Sequence, residues 1–116
     1  MKIAIIGSRG LTVENLGDYL PSDVTEIVSG GAKGVDTSAR EYALQHGIKL
    51  TEFLPDYEKY GRAAPIRRNE EIVRCADMVF AFWDGKSSGT KSVLALCRKE
   101  NVPFRVVRMN GEDAGQ

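Results

Sequence analysis

Met78-Val79-Phe80-Ala81-Phe82-Trp83 runs directly into Asp84-Gly85-Lys86-Ser87-Ser88-Gly89-Thr90, and the reading of this stretch decides the fold. Six apolar residues in succession describe a strand covered on both faces, the habit of a parallel sheet's interior. The glycine- and serine-bearing loop behind it leads into a helix-like segment, Thr90 to Glu100, which makes a βα unit. The same grammar occurs at the start of the chain. Lys2 to Ile6, nearly all apolar, reads as strand one and is followed by Gly7-Ser8-Arg9-Gly10. Thr25 to Val28 reads as strand two, followed by Ser29-Gly30-Gly31-Ala32-Lys33-Gly34 and a helix from Val35 to His46 that Gly47 is placed to end. Strand three, Ile48 to Phe53, and strand five, Phe104 to Arg108, interleave charge with apolar residues, as sheet edges do. Met78 to Trp83 is strand four.

These contrasts predict an α/β chain: a single Rossmann-like domain with a five-stranded parallel sheet, order 3-2-1-4-5, and helices on both faces. Two further helices are expected. Val13 to Leu20 carries Val13, Leu16 and Leu20 on one face, with Thr12 as cap and Leu11 stapled onto Leu16. Pro65 to Ala76 has its proline in the first turn. The domain is expected over 1–109, with 110–116 a flexible polar tail. The predicted order puts the switch point between strands one and four, so the three glycine loops gather at one crevice, where backbone N–H groups and helix starts attract anions.

Composition narrows the partner. The 116 residues carry 16 basic and 16 acidic side chains, so a broad electrostatic surface for nucleic acid is not expected. Cys75 and Cys97 lack Cys-x-x-Cys spacing, no signal peptide is evident and no stretch is long enough to span a membrane, which favours a cytoplasmic protein with no membrane partner. His46 is the only histidine and ends a helix away from the loops, which argues against Ser-His-Asp or Cys-His chemistry and against a zinc site. No metal and no required cofactor are expected. None of the loops matches Gly-x-x-x-x-Gly-Lys-Ser/Thr, and Gly7-Ser8-Arg9-Gly10 lacks the third glycine of the dinucleotide fingerprint.

Candidate ligand contacts follow from the loops: Gly7, Ser8 and Arg9 in the first, and Ser29, Gly30, Gly31, Lys33 and Gly34 in the second. The third contributes Asp84, Ser87, Ser88, Gly89 and Thr90. Arg67, Arg68 and Asn69 join them, because two arginines at a helix start oppose the helix dipole and call for compensation. Two compensations fit: pairing of both with Glu71, or an anionic ligand gripped by the guanidinium fork. Asp36 and Asp84 suit either ribose hydroxyls or helix capping, and are the candidate catalytic carboxylates of an enzyme acting at ribose. Lys33 and Lys86 suit phosphate or solvent equally. Tyr57, Tyr60 and Arg62, between Leu54 and Ala64, suit either a lid that stacks on a base or packing on a neighbouring helix.

Ser29-Gly30-Gly31-Ala32-Lys33-Gly34-Val35-Asp36-Thr37-Ser38-Ala39, then Arg68-Asn69, Ala76-Asp77 and Ser88-Gly89-Thr90, together resemble the SLOG superfamily, and within it the small YspA-like branch. The resemblance runs through nearly the whole chain. It implies a Rossmann-like fold that binds a nucleotide or nucleotide-derived ligand, kinship with the DNA-processing protein A family and the Lonely Guy phosphoribohydrolases, and a homodimer through exposed helices as one arrangement. Lonely Guy enzymes carry Pro-Gly-Gly-x-Gly-Thr-x-x-Glu with a catalytic glutamate; here Val93 holds that position. Binding through Gly89 and Thr90 is therefore expected to persist while release of free base is not. The DNA-processing resemblance leaves weak binding of single-stranded DNA as the alternative, through Arg9, Lys33, Arg67 and Arg68.

Overall fold

The computed structural model describes residues 1–109 of the chain, so the expected tail over 110–116 lies outside the described residues. Five parallel strands, β1 (Lys2–Gly7), β2 (Glu26–Ser29), β3 (Lys49–Glu52), β4 (Met78–Trp83) and β5 (Phe104–Arg108), pair in the order β3-β2-β1-β4-β5. This is the predicted order. The central pair runs in register from Ile3 opposite Met78 to Gly7 opposite Phe82.

The continuous apolar runs are explained by two separate cores. Ile3, Ile5, Ile27, Phe80 and Phe82 face one side of the sheet, where they meet Val35, Ala39 and Ala43 of α1 (Val35–His46). Their neighbours Ala4, Ile6, Val28, Val79 and Ala81 face the other. There they pack on Ile72 and Val73 of α3 (Ala64–Cys75) and on Val93, Leu94 and Cys97 of α4 (Ser88–Glu100). Since alternate residues of a strand point to opposite faces, a strand buried on both must be apolar throughout. The edge strands β3 and β5 have no fully buried residue.

The helix expected over Val13 to Leu20 does not form. A single 3-10 turn, Leu16–Asp18, stands in its place. Asn15, Gly17 and Asp18 are poor helix formers, and the Val13 N–H donates to the Ser38 hydroxyl of α1 at 3.0 Å, which ties the segment to α1. Leu11, Val13 and Leu16 all reach the core, as separate anchors of an irregular loop; Thr12 is exposed and caps no helix. The helix Val35–His46 and the strands Met78–Trp83 and Phe104–Arg108 match expectation at both ends, and the other boundaries differ by at most two residues, as helix and strand ends do. The stretch after β3 is also more ordered than a plain loop. It contains α2 (Tyr57–Tyr60), capped by Asp56 through the Lys59 N–H at 3.1 Å, and a 3-10 turn at Gly61–Ala63 that leads into α3.

Candidate functional site

A cavity of about 480 Å³ opens at the carboxyl ends of β1, β2 and β4, where the strand order reverses, and its size is that of a small-molecule site. The glycine loops form most of its wall, and α3 supplies most of the rest. At the first, a Cβ on Gly7 would collide with the Phe82 carbonyl and come within 2.6 Å of the Val35 side chain, so only glycine allows β1 to turn there. Ser8 is buried and joins two loops: its N–H donates to the Phe82 carbonyl at 3.1 Å, and its Oγ accepts from the Asp84 N–H at 3.1 Å. Arg9 and Gly10 form an exposed rim.

The third loop is held from within. Asp84 Oδ1 accepts the N–H groups of Lys86 and Ser87, both at 2.8 Å, and these bonds hold its carboxyl below the ordinary aspartate pKa. A carboxylate engaged in this way makes a poor general base. The Trp83 indole N–H donates to the Ser87 carbonyl at 3.0 Å, which fixes where α4 begins. Among the described residues no side chain caps α4, and its first turn, Ser88-Gly89-Thr90, lines the cavity with no acidic residue of its own. The orphan N–H groups of that turn are therefore available to an anion.

At the second loop the Asp36 side chain turns back from the first turn of α1. It is only 7% exposed, and its Oδ2 accepts the Ala32 N–H at 3.1 Å. Burial raises its pKa; the Ala32 and Gly30 N–H groups and the nearby Arg68 pull it down without cancelling that effect. Arg68 reaches across from α3: Nη1 donates to the Gly30 carbonyl and Nε to Asn69 Oδ1, both at 2.9 Å. Apolar side chains from Ile6, Pro65, Ile72 and Val93 complete the lining.

The structure thus brings together Gly7, Ser8, Arg9, Gly30, Asp36, Arg68 and Asn69 with Asp84, Ser87, Ser88, Gly89 and Thr90. It places five other candidates elsewhere. Ser29 is buried at the end of β2, where its hydroxyl accepts the Gly31 N–H at 3.4 Å. Gly31 packs beneath Leu54, Gly34 packs on the Ser8 and Arg9 carbonyls, and Lys33 points to solvent. Arg67 is exposed and pairs with Glu70 at 3.1 Å, not with Glu71; Glu70 also holds Arg74, which continues to Glu100 of α4. Neither arginine uses Glu71, because Glu70 sits between Arg67 and Arg74 on the face turned toward α4 while Arg68 turns inward. Tyr57, Tyr60 and Arg62 do not line the cavity. Tyr60 instead lies under Lys59 and Arg67, with the Arg67 guanidinium 6.0 Å from its ring centre. The apolar lining was not among the expected contacts, although Ile6 directly before the first loop was a usable signal.

The two arginines are expected to separate under mutation. Arg67→Ala removes an exposed pair and should cost at most about 1 kcal/mol. Arg68→Ala unpairs the Gly30 carbonyl and Asn69 and leaves Asp36 without its nearby cation, so about 1–3 kcal/mol is expected. Urea denaturation of both variants measures the difference, and equal losses would mean that the Arg68 contacts carry no weight.

The model described as the YspA, cpYpsA-related SLOG family matches residues 1–60, just over half of the chain. The chain belongs to that family. The match spans the first two glycine loops of this SLOG domain and Asp36, whereas Arg68 and the third loop lie beyond it. Gene 61 protein of Mycobacterium phage D29 is 37% identical over 83 residues, which is 66% of this chain and 66% of that protein's length. Among solved structures, DNA processing protein A from Helicobacter pylori, described for its unique single-stranded DNA binding mode, superposes with a TM-score of 0.73 at 25% identity. The superposition covers 97% of this chain and 69% of that one, which supports the Rossmann-like SLOG fold from β1 to β5. Among the described residues, no helix is long and apolar enough to cross a membrane.

Proposed function

We propose that this SLOG domain binds a nucleotide or nucleotide-derived phosphate ligand in the cavity between β1 and β4. The observation that carries this reading is the uncapped start of α4, with its Ser88-Gly89-Thr90 turn facing a cavity that two further glycine loops enclose. The phosphate takes the N–H groups of that turn, with Arg9 at the rim, and the apolar lining of Ile6, Pro65, Ile72 and Val93 accepts the organic part of the ligand. Arg68 acts from beneath, as a fixed part of the wall. Bond cleavage is not part of this reading: Asp84 is engaged in its loop and Val93 supplies no carboxylate. An enzyme acting at ribose would have to depend on Asp36.

A thermal-shift series with nucleoside mono- and diphosphates tests the proposal, and a rise in Tm that saturates with concentration is the expected result. No rise with any nucleotide would overturn it. The likeness to DNA processing protein A supports a second reading, single-stranded DNA binding, and salt separates the two. With zero formal charge the chain offers little long-range attraction, so oligonucleotide binding should be weak at physiological salt and release few counterions. Tight binding with a steep salt slope would favour the DNA reading.

A further inference from the structure

Resting on the nucleotide reading, the cavity has two chemically different ends. One is the α4 start, which presents unpaired backbone N–H groups of its first turn. The other is formed by Asp36, Asn69 and Arg68, and it mixes an acceptor with donors. Asp36 is the buried carboxyl on the cavity wall, and backbone N–H groups of its own loop are its hydrogen-bond donors; among the described residues no side chain donates to it. A carboxylate has about four lone-pair positions, so the backbone donors leave part of its accepting capacity free. Asp36 lines the cavity, so a ligand held there can reach that capacity. Beside it, Asn69 gives its oxygen to Arg68 Nε, which leaves the amide N–H groups of Asn69 turned to other partners. Arg68 directs Nη1 to the Gly30 carbonyl and has further donors on the same fork.

We infer that Asp36 and Asn69 read the ribose hydroxyls, so the ligand is a ribonucleotide and not its 2′-deoxy counterpart. Each hydroxyl is both donor and acceptor. It donates to the Asp36 carboxylate and accepts from an Asn69 or Arg68 N–H; a base edge that sets an amino donor beside a ring-nitrogen acceptor is the competing occupant, and the titration below separates the two. Position agrees with chemistry. Asp36 follows β2 and the α4 turn follows β4, with β1 between them, and both line the one cavity. A nucleotide with its phosphate at α4 can therefore extend across the end of β1 toward Asp36. A 2′-deoxy ligand leaves the desolvated carboxylate without its donor, and a lost hydrogen bond to a charged group corresponds to roughly a 10- to 100-fold weaker affinity.

Calorimetric titration of the unmodified protein with the four ribonucleoside 5′-monophosphates and their 2′-deoxy counterparts tests this directly. The expected result is a ribonucleotide preference of about tenfold or more for whichever base binds, and a preference that collapses toward one in Asp36→Asn because only the ribonucleotide loses affinity. Equal affinity of ribo and deoxy forms in the unmodified protein overturns the inference and leaves the nucleotide reading standing. A change of base ranking in Asp36→Asn with an unchanged ribo-to-deoxy ratio also overturns it, by assigning Asp36 to the base. Binding of none of the eight ligands overturns both. The comparison in the unmodified protein holds even if the variant fails to fold.

Discussion

Gly89→Asp is expected to give a protein that folds at least as well as the parent and no longer responds to nucleoside phosphates. Gly89 lies in the first turn of α4, and a Cβ added there meets nothing within 4 Å, so the fold has room for the side chain. Replacing glycine removes a helix penalty, and a carboxylate at an uncapped helix start is favoured by the dipole, so the apo protein gains about 0.5–1 kcal/mol. For a phosphate at the same turn the effect reverses. Two like charges about 4 Å apart at an effective dielectric near 20 oppose each other by about 4 kcal/mol, so affinity should fall at least a hundredfold. Gly89→Asn has nearly the same size without the charge and should bind far better than the aspartate. Thermal shift with and without nucleotide reads both effects at once. Normal nucleotide stabilisation of Gly89→Asp would move the phosphate away from the start of α4 and overturn the proposed pose.

Gly34→Ala should do the opposite, removing the fold before any ligand is considered. Gly34 begins α1 at φ 75° and ψ −121°, a backbone region that L side chains avoid, and this costs about 1–3 kcal/mol. Its Cβ would also collide with the Arg9 carbonyl and come within 2.7 Å of the Ser8 carbonyl; backbone cannot give way as a flexible side chain does, so overpacking adds about 1–3 kcal/mol. A total of about 2–6 kcal/mol is a large share of a small domain's stability and corresponds to a Tm loss of roughly 10 °C or more. Gly47→Ala isolates the conformational part. Gly47 has φ 63° at the end of α1 but open space around it, so only about 1–2 kcal/mol is expected. Calorimetry of the two variants distinguishes them. Equal losses would mean that the contact between the first and second loops at Gly34 is not tight.

The sheet and its crevice were legible because they depend on short-range pattern. Ile3 to Ile6 and Met78 to Trp83 are apolar at every position, which only a strand buried on both faces requires, while Lys49 to Glu52 and Phe104 to Arg108 show the mixed character of edges. From that contrast came the order, the switch point and the convergence of the three glycine loops. The segment from Val13 to Leu20 shows the limit. Its apolar spacing suits a helix, but Leu11, Val13 and Leu16 reach the core as separate anchors and the Val13 N–H bonds Ser38, 25 residues away; such long-range contacts have no local signature.

What the sequence determined by itself was therefore the arrangement of strands and the place where a ligand could sit, since periodicity and glycine are properties of neighbouring residues. Only the tertiary structure decided which polar residues belong to the cavity. Arg67 and Arg68 are adjacent and chemically identical, yet the turn of α3 sends one to Glu70 in solvent and the other to the Gly30 carbonyl. Asp36 and Asp84 also looked equivalent. Asp84 proved to be satisfied by the N–H groups of its own turn, which lower its pKa, whereas burial raises that of Asp36, to which no side chain donates among the described residues. The difference is one of burial and hydrogen-bond supply, and both are set by what the rest of the chain places around a side chain.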